Sequence, residues 1–353
     1  MPGGFPAQTA GEGLRKPQMA DHASPITPTI DLDGEGVRHG FLKLPHSRDE
    51  SAWGHLMIPI TVVSNGDGPT ALLTGANHGD EYEGPIALMD LAGRIRAEEV
   101  SGRVIIVPAM NYPAYLAGKR TSPIDGGNMN RIFPGRADGT ISEKIADYFQ
   151  HHLLPLADYV FDFHSGGKTL EFLPFAATHV LEDKAQEARC VAAMKAFNAP
   201  YSMMLLEIDS VGMYDTAAEA MGKVFVSTEL GGGGSATSRT IAIAKRGIAN
   251  FLRHAGILKG EVEIGPTVHL DMPDASCFVT AEQGGLVEPC VDLGEAVRVG
   301  QVIARVHSIE RTGQVPGEYK AGLDGVLAGR HFPGLIGPGD CLGVVAAIVE
   351  DEV

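Results

Sequence analysis

The sequence predicts an α/β fold, a mixed sheet flanked by helices, with a small all-β domain at its C-terminal end. Two observations predict it. From about Thr61 to Gly256, short apolar runs alternate with segments of helical periodicity, the pattern of buried strands connected by helices. After about Lys259 the helical pattern stops, and short β runs are punctuated by Gly, Asp and Pro.

"TALLTG" reads as a buried strand, and "PIALMDLAGRIRAEE" as a helix opening at Pro85, a favoured first-turn residue. "RVIIVPAM" is the next strand. "TISEKIADYFQHHLL" is a helix whose start carries a capping box, Thr140 to Glu143. "DYVFDFH" is a strand, "EDKAQEARCVAAMKAF" a helix and "KVFVSTE" a strand. "SATSRTIAIAKRGIANFLRHAG" is a long helix stopped at Gly256. These elements place a catalytic domain over residues 31–260 and a β domain over 261–353. Residues 1–30 read as a flexible tail. Its opening lacks the apolar centre of a secretory signal, and Met19 is an alternative start.

With 353 residues, 44% hydrophobic and 20% charged, the chain has the composition of a soluble globular protein. Its 28 Lys and Arg against 44 Asp and Glu leave a formal charge of −16, which argues against a nucleic-acid surface. It has no apolar run of membrane-spanning length. Cys190, Cys277, Cys290 and Cys341 form no close pair, so a reducing cytoplasm is the expected setting. The oligomeric state is left open.

The stretch "TGANHGDEYEGP" places His78 and Glu81 between a strand and a helix, where ligands of open α/β sheets bind. Two such donors are one short of a catalytic zinc site, which takes three protein ligands and keeps an open position. Asp80 and Glu83 are rival donors in the same loop. His164 supplies the third ligand: "YVFDFHSGG" ends a buried strand in His and then turns sharply. Asp162, two residues earlier on the same strand face, is placed to orient a ligand. The other histidines form no comparable set. His151 and His152 are read as helix surface, and His39, His46, His55 and His179 lack an acid at ligand spacing.

Zinc hydrolysis also needs a proton acceptor. "KVFVSTELGGGGS" ends a strand in Glu229 on the same rim, beside glycines that permit close approach of a substrate. In "GGNMNRIFPGR", Arg131 can pair a substrate carboxylate bidentately, with Asn130 beside it. Arg120 is a candidate to polarise the scissile carbonyl. "LLEIDSVGMYDTAAEA" offers Glu207, Asp209 and Asp215 as an acidic loop for a substrate amine.

"GANHGDE", "NMNRIFPG", "FDFHSGG" and "STELGG", in that order over most of residues 50–255, resemble the succinylglutamate desuccinylase/aspartoacylase family, a branch of the zinc-carboxypeptidase fold. The resemblance implies one zinc per chain on His78, Glu81 and His164, with Glu229 as general base or acid. It also implies a substrate carboxylate on Asn130 and Arg131, and an appended β domain that helps to close the site mouth. The segment from Arg120 to Arg131 is longer than its counterpart in aspartoacylase, so Arg120 rests on the residue argument alone. "VDLGEAVRVGQVIARV" resembles half of a biotinyl/lipoyl carrier domain without the carrier lysine. The expected activity is removal of a short acyl group from a small N-acyl amino acid. The competing readings are a desuccinylase or aspartoacylase-like enzyme, a peptide carboxypeptidase and a non-catalytic binding module.

Overall fold

The structure, a computed structural model, describes residues 22–349. An antiparallel edge comes first: β1 (Thr27–Pro28), β2 (Gly36–Pro45) and β3 (His55–Asn65). The α/β core follows as β4 (Thr70–Gly75), α1 (Glu83–Arg94), β5 (Gly102–Val107), α2 (Tyr112–Ala117), α3 (Ile141–Tyr148) and β6 (Tyr159–His164). It continues through β7 (Leu170–Phe172), β8 (Phe175–Thr178), α4 (Lys184–Phe197), β9 (Tyr201–Met204), α5 (Tyr214–Ala220), β10 (Val224–Glu229) and α6 (Ser238–His254). Strands then dominate: β11 (Val268–Asp271), β12 (Phe278–Thr280), β13 (Gly285–Pro289), β14 (Ala296–Val297) and β15 (Val302–His307). The last are β16 (Gly317–Lys320), β17 (Gly325–His331), β18 (Leu335–Ile336) and β19 (Cys341–Val349).

The main sheet runs β1-β2-β3-β5-β4-β6-β10-β8-β9-β11-β19-β17-β14. Its centre, β5-β4-β6-β10, is parallel, and pairing turns antiparallel at β3 and β8. The period of two along the strands decides what each face buries. Leu73, Ile106, Phe161, Phe163 and Val226 pack with α1, α4 and α6, while Leu72, Ile105, Val107, Val160 and Phe225 pack with α3 and α5. Covered on both faces, these strands can be apolar throughout. The capping box at Thr140 forms as expected, with Thr140 N–H on Glu143 Oε2 at 2.7 Å. The helix it starts is shorter than expected: it widens after Tyr148 into a π-type turn, then tightens around Pro155, whose ring denies the backbone a donor.

Two expectations change. The tail expected over residues 1–30 lies outside the described residues up to position 21. Residues 22–30 are anchored instead: Ile26 is buried in the core and β1 pairs with β2. The C-terminal β segment also does not stand apart. Only β16-β15-β13-β18 form a second sheet, whereas β11, β19, β17 and β14 extend the main sheet from β9, and β7 pairs with β17. Without β11, β9 would be an exposed edge. Leu173, Phe175 and Met203 share a core with Leu270, Val344 and Ala346 across the expected boundary.

Candidate active site

β4, β6 and β10 are neighbours, and their carboxyl ends share one rim, with Glu229 in register with His164 and Gly75 with Phe163. β4 is flanked by β5 on one side and β6 on the other, so the chain leaves the sheet in opposite directions here, where open α/β sheets place ligands. At the end of β4 the backbone bends through Ala76, which has φ 49°. This left-handed conformation is strained for alanine by roughly 1 kcal/mol. It immediately precedes Asn77 and His78.

The structure brings His78, Glu81 and His164 together, with donor atoms all within 4.8 Å of one another. His78 Nδ1 is 2.8 Å from Glu81 Oε1, and His164 Nδ1 is 3.0 Å from Glu81 Oε2. The other ring nitrogens are held from behind. His164 Nε2–H donates to Asp162 at 2.8 Å, and His78 Nε2 meets Asn128 Oδ1 at 3.2 Å. Both imidazoles therefore turn Nδ1 toward the cluster. The backbone N–H of Ser165 steadies Glu81 Oε2 at 3.2 Å. The rival acids point elsewhere: Asp80 accepts from Lys168 N–H and Glu83 from Thr240.

The ionisable groups here shift one another. Burial alone would lower the His164 pKa, but Asp162 and Glu81 outweigh it and raise it well above the usual imidazole value. Burial would likewise raise Glu81, yet His78 and His164 hold it well below the usual carboxylate range. His78 is lowered, by burial first. Two neutralisable imidazoles and a carboxylate, buried and oriented by partners, are the donor set that a zinc ion takes.

Glu229 faces the same cavity of about 150 Å³, together with Arg120, Asn130 and Arg131. Its Oε2 is buried without a hydrogen-bond partner. Burial and then the nearby Glu81 push its carboxyl up to about 8. Arg120 Nη1 lies 3.3 Å from His78 Nδ1. Asn130 is buried, its Oδ1 accepting from Asn77 and from Tyr214 N–H, and its backbone oxygen accepts from Arg131 Nη1 at 2.6 Å. The glycine run after Glu229 is a fixed turn: Gly231 to Gly234 all have positive φ, and Gly231 O accepts from Gly166 and Phe172 N–H.

Sequence reasoning missed three supports, Thr74, Asn77 and Asn128. Thr74 Oγ1 donates to Asp162 at 2.6 Å and Asn77 Nδ2 at 3.0 Å. Asn77 and Asn128 lay inside the motifs already singled out, so adjacency to His78 and Asn130 was the available signal. Three expectations need correction. His179 does have acids beside it, Glu207, Asp215 and Glu219, brought from 28 or more positions away by folding. Asp209 is exposed and is not part of the site cavity, unlike Glu207 and Asp215. His151 and His152 are half-buried rather than free on a helix surface, His151 against Asp147 and His22, His152 stacked on Tyr148.

The family model described as the succinylglutamate desuccinylase/aspartoacylase catalytic domain matches residues 67–255. The N-alpha-acetyl-L-2,4-diaminobutyric acid deacetylase of Halomonas elongata is 58% identical over 329 residues, covering 93% of this chain and 96% of that protein. The product-bound structure of the ectoine utilization protein EutE (DoeB) from Ruegeria pomeroyi superposes with a TM-score of 0.91 at 66% identity, over 92% of this chain and 99% of that one. A succinylglutamate desuccinylase structure from Silicibacter superposes with a TM-score of 0.90 at 64% identity, over 93% of this chain and 99% of that one.

Proposed function

Because the chain belongs to the succinylglutamate desuccinylase/aspartoacylase family, we propose that it hydrolyses N-α-acetyl-L-2,4-diaminobutyrate to acetate and the free diamino acid, in ectoine degradation. The observation that carries this reading is the largely buried His78–Glu81–His164 cluster, which shares a small cavity with Glu229, a side chain whose Oε2 has no partner. The likeness to the Halomonas deacetylase supports the choice of substrate.

His78, Glu81 and His164 would hold one zinc ion per chain, which supplies Lewis acidity toward the amide carbonyl and the attacking water. Glu229 takes a proton from that water and returns it to the leaving amine. Burial, which pushes this carboxyl up to about 8, favours the protonated form that returns the proton to the amine. Arg120 stabilises the charge that develops on the carbonyl oxygen. Asn130 and Arg131 hold the α-carboxylate, Arg131 through the guanidinium edge that its bond to Asn130 O leaves free.

The chemistry lies on the segment up to residue 260, and strands of the C-terminal segment wall the adjoining cleft. Phe278, Thr280 and Cys341 line an apolar hollow that shares Arg131, Glu207 and Glu229 with the site. This wall disfavours a peptide substrate. The biotinyl/lipoyl-like half serves as structure. Four unpaired cysteines accord with a cytoplasmic setting. No described helix is long and apolar enough to cross a membrane.

Glu229→Gln tests the mechanism. Zinc content should stay the same, because Glu229 is not a ligand in this reading. At matched zinc, kcat on the acetylated diamino acid should fall by about 10²–10⁴-fold, the usual worth of general acid–base catalysis. Turnover within about threefold of the parent, well below that range, would remove Glu229 from the proton path.

A further inference from the structure

Glu207 and Asp215 border two spaces at once. One is the site cavity, which they share with Arg120, Arg131 and Glu229. The other is an adjoining recess lined by four carboxylates, Glu207, Asp215, Glu219 and Asp271, and by one basic side chain, His179. His179 Nδ1 donates to Glu219 Oε1 at 2.8 Å, while its Nε2 stands 3.6 Å from Glu207 Oε1 and makes no hydrogen bond. One imidazolium cannot neutralise four acids, so the recess carries excess negative charge where it meets the site. Asp215 is almost fully buried, and one of its oxygens takes the N–H and O–H of Thr216.

The acidic patch is fixed relative to the carboxylate clamp. Gly212 O accepts Phe133 N–H at 2.9 Å, and Tyr214 N–H reaches Asn130 Oδ1 at 3.0 Å. Gly212 has φ +75°, and a Cβ there would lie 2.5 Å from Arg131 O, so the two segments touch backbone to backbone. The loop that carries Glu207 is thus pinned to the residues that carry Asn130 and Arg131. One wall of the cavity is cationic, at Arg120 and Arg131, and another is anionic.

We propose that Glu207 and Asp215 form a cation subsite that binds the side-chain ammonium of the substrate and so selects an acylated diamino acid over acylated neutral or dicarboxylic amino acids. The inference rests on the deacylase reading above and adds the residues that choose the side chain. An ammonium suits the place better than a second metal ion. Burial would lower His179, but Glu207 and Glu219 raise it to about 10, so its Nε2 carries a proton at neutral pH and offers no lone pair. Glu207 and Asp215 remain as acceptors. An ammonium brings three donors to them.

The test compares three N-acetyl-L-amino acids of matched length: 2,4-diaminobutyrate (ammonium end), norvaline (methyl end) and glutamate (carboxylate end). The wild type, Glu207→Gln and Asp215→Asn are assayed for kcat/KM on each, with metal content and Tm measured in parallel. The wild type should prefer the ammonium substrate. In Glu207→Gln the ammonium-to-methyl ratio should fall about 10- to 100-fold, the range expected for a hydrogen bond to an ion, mainly through KM. The carboxylate substrate should gain relative to the methyl one. Glu207 is partly exposed, so its variant decides the matter if Asp215→Asn loses stability. A wild type that prefers the ammonium substrate, with the ratio unchanged in a folded Glu207→Gln, overturns the subsite and leaves the deacylase reading standing. A second metal equivalent lost in the variants overturns it as well. A wild type that cleaves none of the three overturns both.

Discussion

Three donors meet on the carboxylate of Asp162: Thr74 O–H, Asn77 Nδ2 and His164 Nε2. Asp162 is fully buried, so no water can replace any of them. An asparagine could keep its oxygen toward Asn77 and His164 and turn its amide to Thr74 Oγ1, whose hydroxyl would then donate to Phe161 O, but an alanine removes the acceptor from all three donors. The His164 ring would lose its partner and with it the orientation that aims Nδ1 at Glu81. Asp162→Ala is therefore expected to weaken zinc affinity about 10- to 100-fold, read by competition with a chromophoric chelator. The unsatisfied buried donor should also cost about 1–3 kcal/mol of stability. Unchanged zinc affinity would mean that Glu81 alone orients His164, through its 3.0 Å contact with Nδ1.

The loop between β4 and α1 delivers two of the three proposed ligands, and its course depends on what it touches. Gly79 follows His78, and a Cβ there would stand 2.0 Å from the carbonyl carbon of Ala114 in α2. That neighbour is backbone and cannot step aside. Gly93, near the end of α1, is exposed and has nothing within 4 Å of its would-be Cβ. Gly79→Ala should push the loop away from α2, separate His78 from Glu81, and lose both zinc and activity. Gly93→Ala should keep both and stabilise the chain by about 0.5–1 kcal/mol, the gain of alanine over glycine inside a helix. Thermal unfolding and zinc content of the two variants check this pair. A zinc-loaded, active Gly79→Ala would show that the loop tolerates displacement. At this scale the sequence was informative wherever function sits beside an element's end. His164 and Glu229 each close an apolar run, so the rim could be located without coordinates. The His179 cluster was hidden because its acids come from a different loop and helix, and no local spacing reports that α5 packs beside β10. Asn128 stood inside a motif already singled out, but its tie to His78 spans 50 positions, and no local spacing reports that contact.

At the scale of the whole molecule, the long sheet joins the segment bearing the site to the C-terminal strands. β9 is hydrogen-bonded on one side to β8 and on the other to β11, which enters only after α6. β7, which follows the turn after His164, pairs with β17, and Arg330 on β17 binds Glu171 on β7 through Nε at 2.9 Å and Nη2 at 2.7 Å. Gly232 bridges to the same Glu171, so the turn after Glu229 leans on this junction too. Phe175 and Met203 are buried partly beneath Leu270, Val344 and Ala346. Ending the chain at residue 260 would strip the β9 edge and expose these side chains. Burial of each is worth about 1.5–3 kcal/mol, against a total stability of only about 5–15 kcal/mol for a domain. The fragment 1–260 is therefore expected to be insoluble or molten, and to lack activity even with zinc supplied. Arg330→Ala, a milder cut at the same junction, should leave the chain folded. Because its partner Glu171 lies between the turns that position His164 and Glu229, that variant should lower kcat on the acetylated diamino acid rather than zinc content. Solubility and near-ultraviolet circular dichroism of the fragment, with steady-state kinetics of the point variant, decide the matter. A folded, active 1–260 fragment would make the C-terminal strands a detachable cover and not a wall of the site.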